Sequence, residues 1–144
     1  MRIDHAAIAA RIPHAGAMCL LHAITAWNAD RIEALAISHR AANNPLRSTA
    51  GLGIAAGIEY AAQAMAVHGS LLGDGTPRAG RLASVRGVQT HAHRLDLETQ
   101  DLTVVARRVS GDDAGMVYDF ELRAGERLLM NGRASVALLP ADSA

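Results

Sequence analysis

A chain of 144 residues is long enough for one compact domain and leaves no room for a second one. Half of the residues are hydrophobic but only 3% are aromatic, so we expect a core of closely packed small side chains. The 14 basic and 14 acidic residues balance, which argues against a general nucleic-acid binder and against a polybasic membrane-surface protein. The totals predict a single domain over residues 1–144.

The cysteine content and the apolar segments bear on the compartment. Cys19 is the one cysteine, so no internal disulfide can form and a reducing, cytoplasmic setting is the expectation. The first residues contain no continuous apolar stretch of the kind that a signal peptide needs. The apolar run 50–67 carries Glu59 and Gln63, and a carboxylate at that depth in a bilayer is costly. We therefore predict a buried helix rather than a membrane span.

The first part of the chain predicts a short helix and a β-hairpin. A short helix is predicted over 4–10, with Asp4 as its N-cap. The runs 18–27 and 31–39 read as strands, because apolar residues alternate with polar ones in the second run. The turn formers at 28–30 separate the two runs.

The second part predicts one long helix and four strands. The apolar helix runs from about residue 52 to residue 72, where a glycine-rich segment and Pro77 end it. After Pro77 the hydrophobic pattern changes from helical to alternating. The predicted strands are 81–89, 97–109, 116–123 and 127–139, and glycine-containing turns at 110–115 and 124–126 join the last three.

This order of elements predicts an α+β protein. A helix that is apolar nearly all round needs a sheet that curls around it, and we expect the last four strands to form an antiparallel meander. A curled antiparallel sheet wrapped around one long central helix is the hot-dog fold. One such unit leaves a sheet edge and part of the helix uncovered, so we expect a homodimer or a heterodimer with a related hot-dog chain.

Two motifs carry a resemblance to a known family. Ile12-Pro13-His14 and the following 17–21 are similar to the opening motif of the β-hydroxyacyl-(acyl carrier protein) dehydratases. The segment 57–64, Gly-Ile-Glu-Tyr-Ala-Ala-Gln-Ala, resembles the helix signature of the dehydratase-like (ApeP-like) hot-dog proteins of aryl polyene gene clusters. Asn44-Pro45 lies where that subfamily carries a polar-Pro-Phe-Phe segment.

The resemblance implies a dehydratase that acts on 3-hydroxyacyl groups, carried as thioesters on acyl carrier protein or CoA, in fatty-acid or aryl polyene type lipid synthesis. It implies no metal or redox cofactor. Fatty-acid dehydratases carry their catalytic histidine in the loop before the helix, but the corresponding segment 45–51 has no histidine here. The resemblance therefore makes Glu59 the acid/base and His14 the candidate imidazole. The family usually has an aspartate at the position of His22, so the resemblance leaves the role of His22 open.

The residues at the helix start suit this chemistry. Dehydration needs a base for the α-proton, an acid for the leaving hydroxyl and donors for the developing enolate. Backbone N–H groups at a helix N-terminus can polarise the carbonyl, and Gly53 and Gly57 allow a thioester to approach them closely. Glu59 sits in the first turns among apolar neighbours, where a carboxyl can serve as acid or base. Gln63 lies four residues further on the same face and is a candidate substrate ligand.

Each of these residues also has a structural interpretation. Glu59 can hold loop N–H groups, Gln63 can satisfy buried backbone, and His14 can bond a carbonyl beside Pro13. Two other functions stay open: a hot-dog acyl thioesterase, in which Glu59 activates water, and a non-catalytic subunit of a heterodimeric dehydratase.

The remaining histidines suggest no further site. His22 reads as a strand residue with one wet face, and His39 and His68 read as surface or edge residues. His91 and His93 can share one face of a strand, but their spacing to other residues suggests no third ligand. We therefore predict no metal site.

Overall fold

The computed structural model describes residues 2–12, 16–73, 80–112 and 115–138. Two helices, α1 (His5–Ala9) and α2 (Gly57–Leu72), lie among these residues. The strands form a single sheet and are β1 (Ile3–Asp4), β2 (Ala23–Asn28), β3 (Arg31–Ala36), β4 (Gly80–Thr90), β5 (Leu102–Asp112), β6 (Gly115–Ala124) and β7 (Arg127–Leu138).

The N-terminal helix and the first hairpin are confirmed. The carboxylate of Asp4 caps α1 by accepting a 2.9 Å hydrogen bond from the Ala7 N–H. Strands β2 and β3 pair in antiparallel register, but β2 begins at Ala23 rather than at residue 18. The residues before it form a 3₁₀ turn (Gly16–Met18) instead, and β1 adds a short strand to the outer edge of β2.

Helix α2 ends at Leu72 as predicted, but it begins at Gly57 and not at residue 52. The backbone before it is bonded to the connection that follows β4: the Leu95 N–H donates to Leu52 O at 2.8 Å, and the Ile54 N–H donates to His93 O at 3.0 Å. These two hydrogen bonds hold the backbone at 52–54 against the connection, and a 3₁₀ turn (Ile54–Ala56) then leads into α2.

The strand order across the sheet is β1-β2-β3-β5-β6-β7-β4, and every neighbouring pair is antiparallel. The predicted meander is correct for β5, β6 and β7 and wrong for β4, which pairs with β7 at the edge of the sheet. The connection 91–101 then carries the chain back to β3, so β5 begins at Leu102 rather than at residue 97. Because hydrophobic alternation reports the faces of a strand and not its neighbours, the sequence could not reveal this crossover.

The core lies between α2 and one face of the sheet. Helix α2 packs against β3, β5, β6 and β7. Alternate residues of these strands are buried against it, namely Ile32, Ala34, Val104, Ala106, Tyr118, Phe120, Leu122, Met130 and Ala134. The predicted α+β architecture, a curled antiparallel sheet around one long helix, is thereby confirmed. In the part of the chain that the structure describes, no helix is long and apolar enough to span a membrane.

Candidate active site

Glu59 lies in the first turn of α2, where the helix dipole favours a negative charge. Its side chain is half-buried. It lines an open groove of about 510 Å³ together with Leu46, Gly53, Ala55, Ala56 and Ile58. Among the described residues that line this groove, which we call the Glu59 groove, Glu59 carries the one charged side chain. An acid is therefore presented to a largely apolar surface beside the helix start.

A buried carboxylate fixes the backbone that leads to this groove. The side chain of Asp96 is 2% exposed and accepts hydrogen bonds from the Leu52 N–H at 3.0 Å and from the Arg94 guanidinium at 2.6 Å. Arg47 Nη2 lies 3.5 Å from the same carboxylate. The hydrogen bond from Arg94 is the main reason that the pKa of Asp96 lies far below its usual range. Arg94 also faces Gly53 in an isolated β-bridge, so this charge cluster adjoins the groove.

The structure brings two of the predicted site residues together and separates a third. Gly53 and Glu59 both line the Glu59 groove. Gly57 instead faces the sheet: a Cβ atom added there would lie 2.9 Å from Leu122 Cδ2 and 3.1 Å from Met130 Sδ. Its N–H already contacts carbonyl groups of the preceding turn. The geometry therefore does not support the predicted contact of Gly57 with substrate, whereas Gly53 is open to the groove.

Gln63 is almost completely buried, and both ends of its amide bind backbone. Its Nε2 donates to Met18 O at 2.7 Å, and its Oε1 accepts from the Leu20 N–H at 2.9 Å. The side chain is not among the groove-lining residues. Substrate binding by Gln63 stays a prediction, and the structure places its amide on the segment 18–20.

The structure describes His22 but not His14, the two histidines of the N-terminal part that the resemblance singled out. His14, the candidate imidazole, lies outside the described residues, so its role stays a prediction. His22 is exposed just before β2, and its N–H donates to Leu35 O at 2.8 Å.

The prediction that His39 and His68 are surface residues is wrong, since both are fully buried. His39 Nε2 donates to Glu98 O and Gln100 O, at 3.2 and 3.0 Å, and thereby holds the connection 91–101. Desolvation is the main reason that the pKa of both imidazoles is lowered. Polar and apolar residues both flank the two histidines, so the sequence pattern did not indicate that they are buried.

Sequence reasoning missed a cluster of three polar residues, of which Asn44 accepts a hydrogen bond from the N–H of the groove-lining Leu46. The Tyr60 hydroxyl is within hydrogen-bonding distance of Ser38 Oγ at 2.8 Å and of Asn44 Nδ2 at 3.0 Å. Tyr60 belongs to the helix signature beside Glu59, and Asn44 was considered for its place in the resemblance. A tyrosine with a buried hydroxyl needs a hydrogen-bond partner. The tyrosine in this apolar helix is therefore the feature of the sequence that indicates such a cluster.

The described residues contain no group of three or more histidine, cysteine or acidic side chains arranged to hold a metal ion. His91 and His93 are both exposed. Cys19 is buried, and desolvation raises the pKa of its thiol, as expected for a core cysteine.

A curled antiparallel sheet around one long helix defines a hot-dog protein, and in this chain an acid lies in the first turn of that helix. The model of the ApeP-like family, described as ApeP dehydratase, matches residues 6–143, and the chain belongs to this family. The sequence has no significant match among curated proteins.

Solved structures support the same fold. The dehydratase heterocomplex ApeI:P from Xenorhabdus doucetiae has a similar chain, with a TM-score of 0.81 at 19% identity over 92% of this chain and 90% of that one. A mutant of thioesterase PA1618 from Pseudomonas aeruginosa has a TM-score of 0.62 at 16% identity, over 84% and 82% of the two chains. Thioesterase SAV0944 from Staphylococcus aureus, also a mutant, has a TM-score of 0.62 at 16% identity, over 81% and 92%.

Proposed function

We propose that this protein is a dehydratase that removes water from 3-hydroxyacyl thioesters carried on acyl carrier protein. The observation that carries the proposal is the position of Glu59, an acid in the first turn of α2 that faces an apolar groove. The family to which the chain belongs supports the reaction type. The proposal extends to lipid synthesis of the fatty-acid or aryl polyene type and to a cytoplasmic setting.

The groove suits an acyl thioester. Its volume lies within the range of small-molecule sites, and Leu46, Ala55 and Ile58 offer apolar surface to an acyl chain. Gly53 lines the groove in open space, so a thioester can approach the backbone at this position. The exposed backbone at Gly53 and Ala55, where the 3₁₀ turn leads into α2, would supply the donors that hold the developing enolate oxygen.

Glu59 is the proposed acid/base in this scheme. Dehydration breaks the α-C–H and β-C–O bonds and forms the α,β double bond, while the hydroxyl leaves as water. One group takes the α-proton and another protonates the leaving hydroxyl. We assign one of these transfers to Glu59 and the other to His14, which stands in the Pro-His motif of the dehydratase family.

The edge strand β4 supports an association with a second chain. Its one neighbour among the described strands is β7, and Val88 on it is 37% exposed. Open edges of this length are usually covered. The strand contains Arg81 and Arg86 but no acidic residue, so pairing with its own copy would gather arginines without counter-charges. We therefore favour a heterodimer with a related hot-dog chain over a homodimer, in line with the heterocomplex described for ApeI:P.

Two other functions have support of their own. A thioesterase, in which Glu59 activates water against the same carbonyl, is favoured by the neighbours described as thioesterases. A non-catalytic subunit is favoured by the loop 45–51, which lacks a histidine. Incubation with 3-hydroxyacyl and crotonyl carrier thioesters separates the first rival, because a thioesterase releases free thiol and a dehydratase does not. Assays with and without a second hot-dog chain separate the other.

The central test is the dehydratase activity of Glu59→Gln beside that of the wild type. We expect kcat to fall by about 100-fold or more, which is typical when a general acid or base is removed. Glu126→Gln is the matched control, because Glu126 is exposed in the turn between β6 and β7. Full activity of Glu59→Gln would remove the basis of the proposal. His14→Ala tests the imidazole in the same assay.

A further inference from the structure

Two polar side chains of the helix signature, Tyr60 and Gln63, are buried inside the protein and do not line the Glu59 groove. Tyr60 is fully buried and Gln63 is 1% exposed, and neither lines the groove. Burying a polar group is unfavourable unless its hydrogen bonds are satisfied. The groups that satisfy these two side chains therefore indicate their role.

Leu20 is held through both of its backbone groups. Its N–H donates to Gln63 Oε1 at 2.9 Å, and its carbonyl accepts from Ser38 Oγ at 2.8 Å. The other end of the Gln63 amide donates to Met18 O. The segment 18–20, which has no regular strand pairing, is thus fixed to α2 by side chains.

The protons of this cluster can be assigned from the inventory of donors. Ser38 has one hydroxyl proton, which goes to Leu20 O, so its Oγ accepts from the Tyr60 O–H. Tyr60 Oη in turn accepts from Asn44 Nδ2. Each donor then has an acceptor along an unbroken path.

Asn44 connects this path to the groove. Its Nδ2 also donates to Ser38 O at 2.9 Å, and its Oδ1 accepts from the Leu46 N–H at 2.9 Å. Leu46 is a wall of the Glu59 groove. We name Ser38, Asn44, Tyr60 and Gln63 the motif network.

We propose that Tyr60 and Gln63 are positioning residues of the Glu59 site, which through the motif network fix the Leu46 wall of the groove and the segment 18–20 on α2. This inference rests on the proposed function and gives Gln63 a role other than contact with substrate. The helix signature then divides into Glu59, which performs chemistry, and two residues that hold the surrounding loops in place.

The variant Gln63→Glu tests the network through pH. In its neutral form the new carboxyl group can still donate to Met18 O and accept from the Leu20 N–H. In its ionised form it has no proton for Met18 O and brings a negative charge against that carbonyl. Burial raises the pKa of such a carboxyl, so the change occurs in an accessible pH range.

We expect the kcat/KM of Gln63→Glu, divided by that of the wild type at the same pH, to be near one at about pH 5 and lower by about tenfold at about pH 8. Gln100→Glu introduces the same charge change at an exposed glutamine and should give a ratio that does not vary with pH. Tyr60→Phe, which keeps the ring and removes the hydroxyl, should lower kcat by about tenfold per folded molecule. Circular dichroism measures the folded fraction of each variant.

Different outcomes distinguish the two levels of the proposal. A Gln63→Glu ratio that is constant with pH, or folded Tyr60→Phe with wild-type kcat and KM, overturns this inference and leaves the proposed function intact. A wild-type chain that dehydrates no thioester, alone or with a second hot-dog chain, overturns the proposed function and this inference with it.

Discussion

The imidazole of His68 and the phenol of Tyr118 meet inside the core, with His68 Nδ1 2.7 Å from the Tyr118 hydroxyl. His68 Nε2 lies 2.7 Å from Asn28 O, and a carbonyl can only accept, so Nε2 carries the proton and Nδ1 accepts from Tyr118. Both rings are almost completely buried. The pair is a neutral bridge that joins α2 to β6 and to the end of β2.

The first prediction concerns this bridge. Tyr118→Phe should lower the free energy of unfolding by about 1–3 kcal/mol, because it leaves His68 Nδ1 buried without a donor. Urea denaturation measures the change. Combining it with His68→Leu removes both partners, so the loss in the double variant should be smaller than the sum of the two single losses. A Tyr118→Phe protein with the wild-type urea midpoint would contradict the bridge.

The second prediction follows from the lowered pKa values of His39 and His68. Below about pH 6.5 the unfolded chain binds protons that the folded chain does not bind, so the free energy of unfolding should fall as the pH decreases from that point. His68→Gln can keep one donor and one acceptor without titrating, and it should flatten this slope. Unfolding curves at several pH values between about 5 and 7 test it. A slope that His68→Gln leaves unchanged would count against this assignment.

The third prediction concerns Asp96 at the entrance to α2. Asp96→Asn should lower the urea midpoint and kcat/KM together, because Arg94 and the Leu52 N–H lose a charged acceptor next to the groove. Asp119→Asn is the control, since Asp119 is 49% exposed on the outer face and surface pairs contribute about 0–1 kcal/mol.

The lowered pKa of Asp96 adds a pH signature to the same variant. Its contribution to stability is present above the unfolded pKa, near 3.8, and is lost as the pH falls below that value. The stability difference between wild type and Asp96→Asn should therefore shrink in acid. A difference that is constant with pH would show that the carboxylate charge is not responsible.

The fourth prediction separates the two glycines of the helix start. Gly57→Ala should lower the free energy of unfolding by about 1–3 kcal/mol, because its Cβ would press on Leu122 and Met130. Gly53→Ala has open space around the new atom and should change stability by less than about 0.5 kcal/mol. Because Gly53 lines the groove, its variant should instead raise KM for the thioester. Equal effects of the two variants on stability would contradict this distinction.

The candidate site was predicted from the sequence only in part. Glu59 was identifiable because an acid inside an apolar helix is conspicuous, and the structure places it on the groove with Gly53. The partners of Gln63 were not identifiable, because Met18 and Leu20 contribute backbone atoms and backbone groups leave no trace in residue type. Tyr60 was overlooked because its side-chain partners, Ser38 and Asn44, come from the connection between β3 and α2, and only the folded chain brings them to its hydroxyl.

The sequence by itself determined the α+β class, the single long helix and the periods of most strands, because hydrophobic periodicity records which side of an element is buried. Only the tertiary structure decided that β4 pairs with β7, that α2 begins at Gly57 and that His39 and His68 lie in the core. Each of these features depends on which distant segment of the chain packs beside the strand, the helix start or the histidine. Pairing between strands and capping of a helix by a remote loop use backbone hydrogen bonds, which every residue offers equally, so the residue pattern does not specify them.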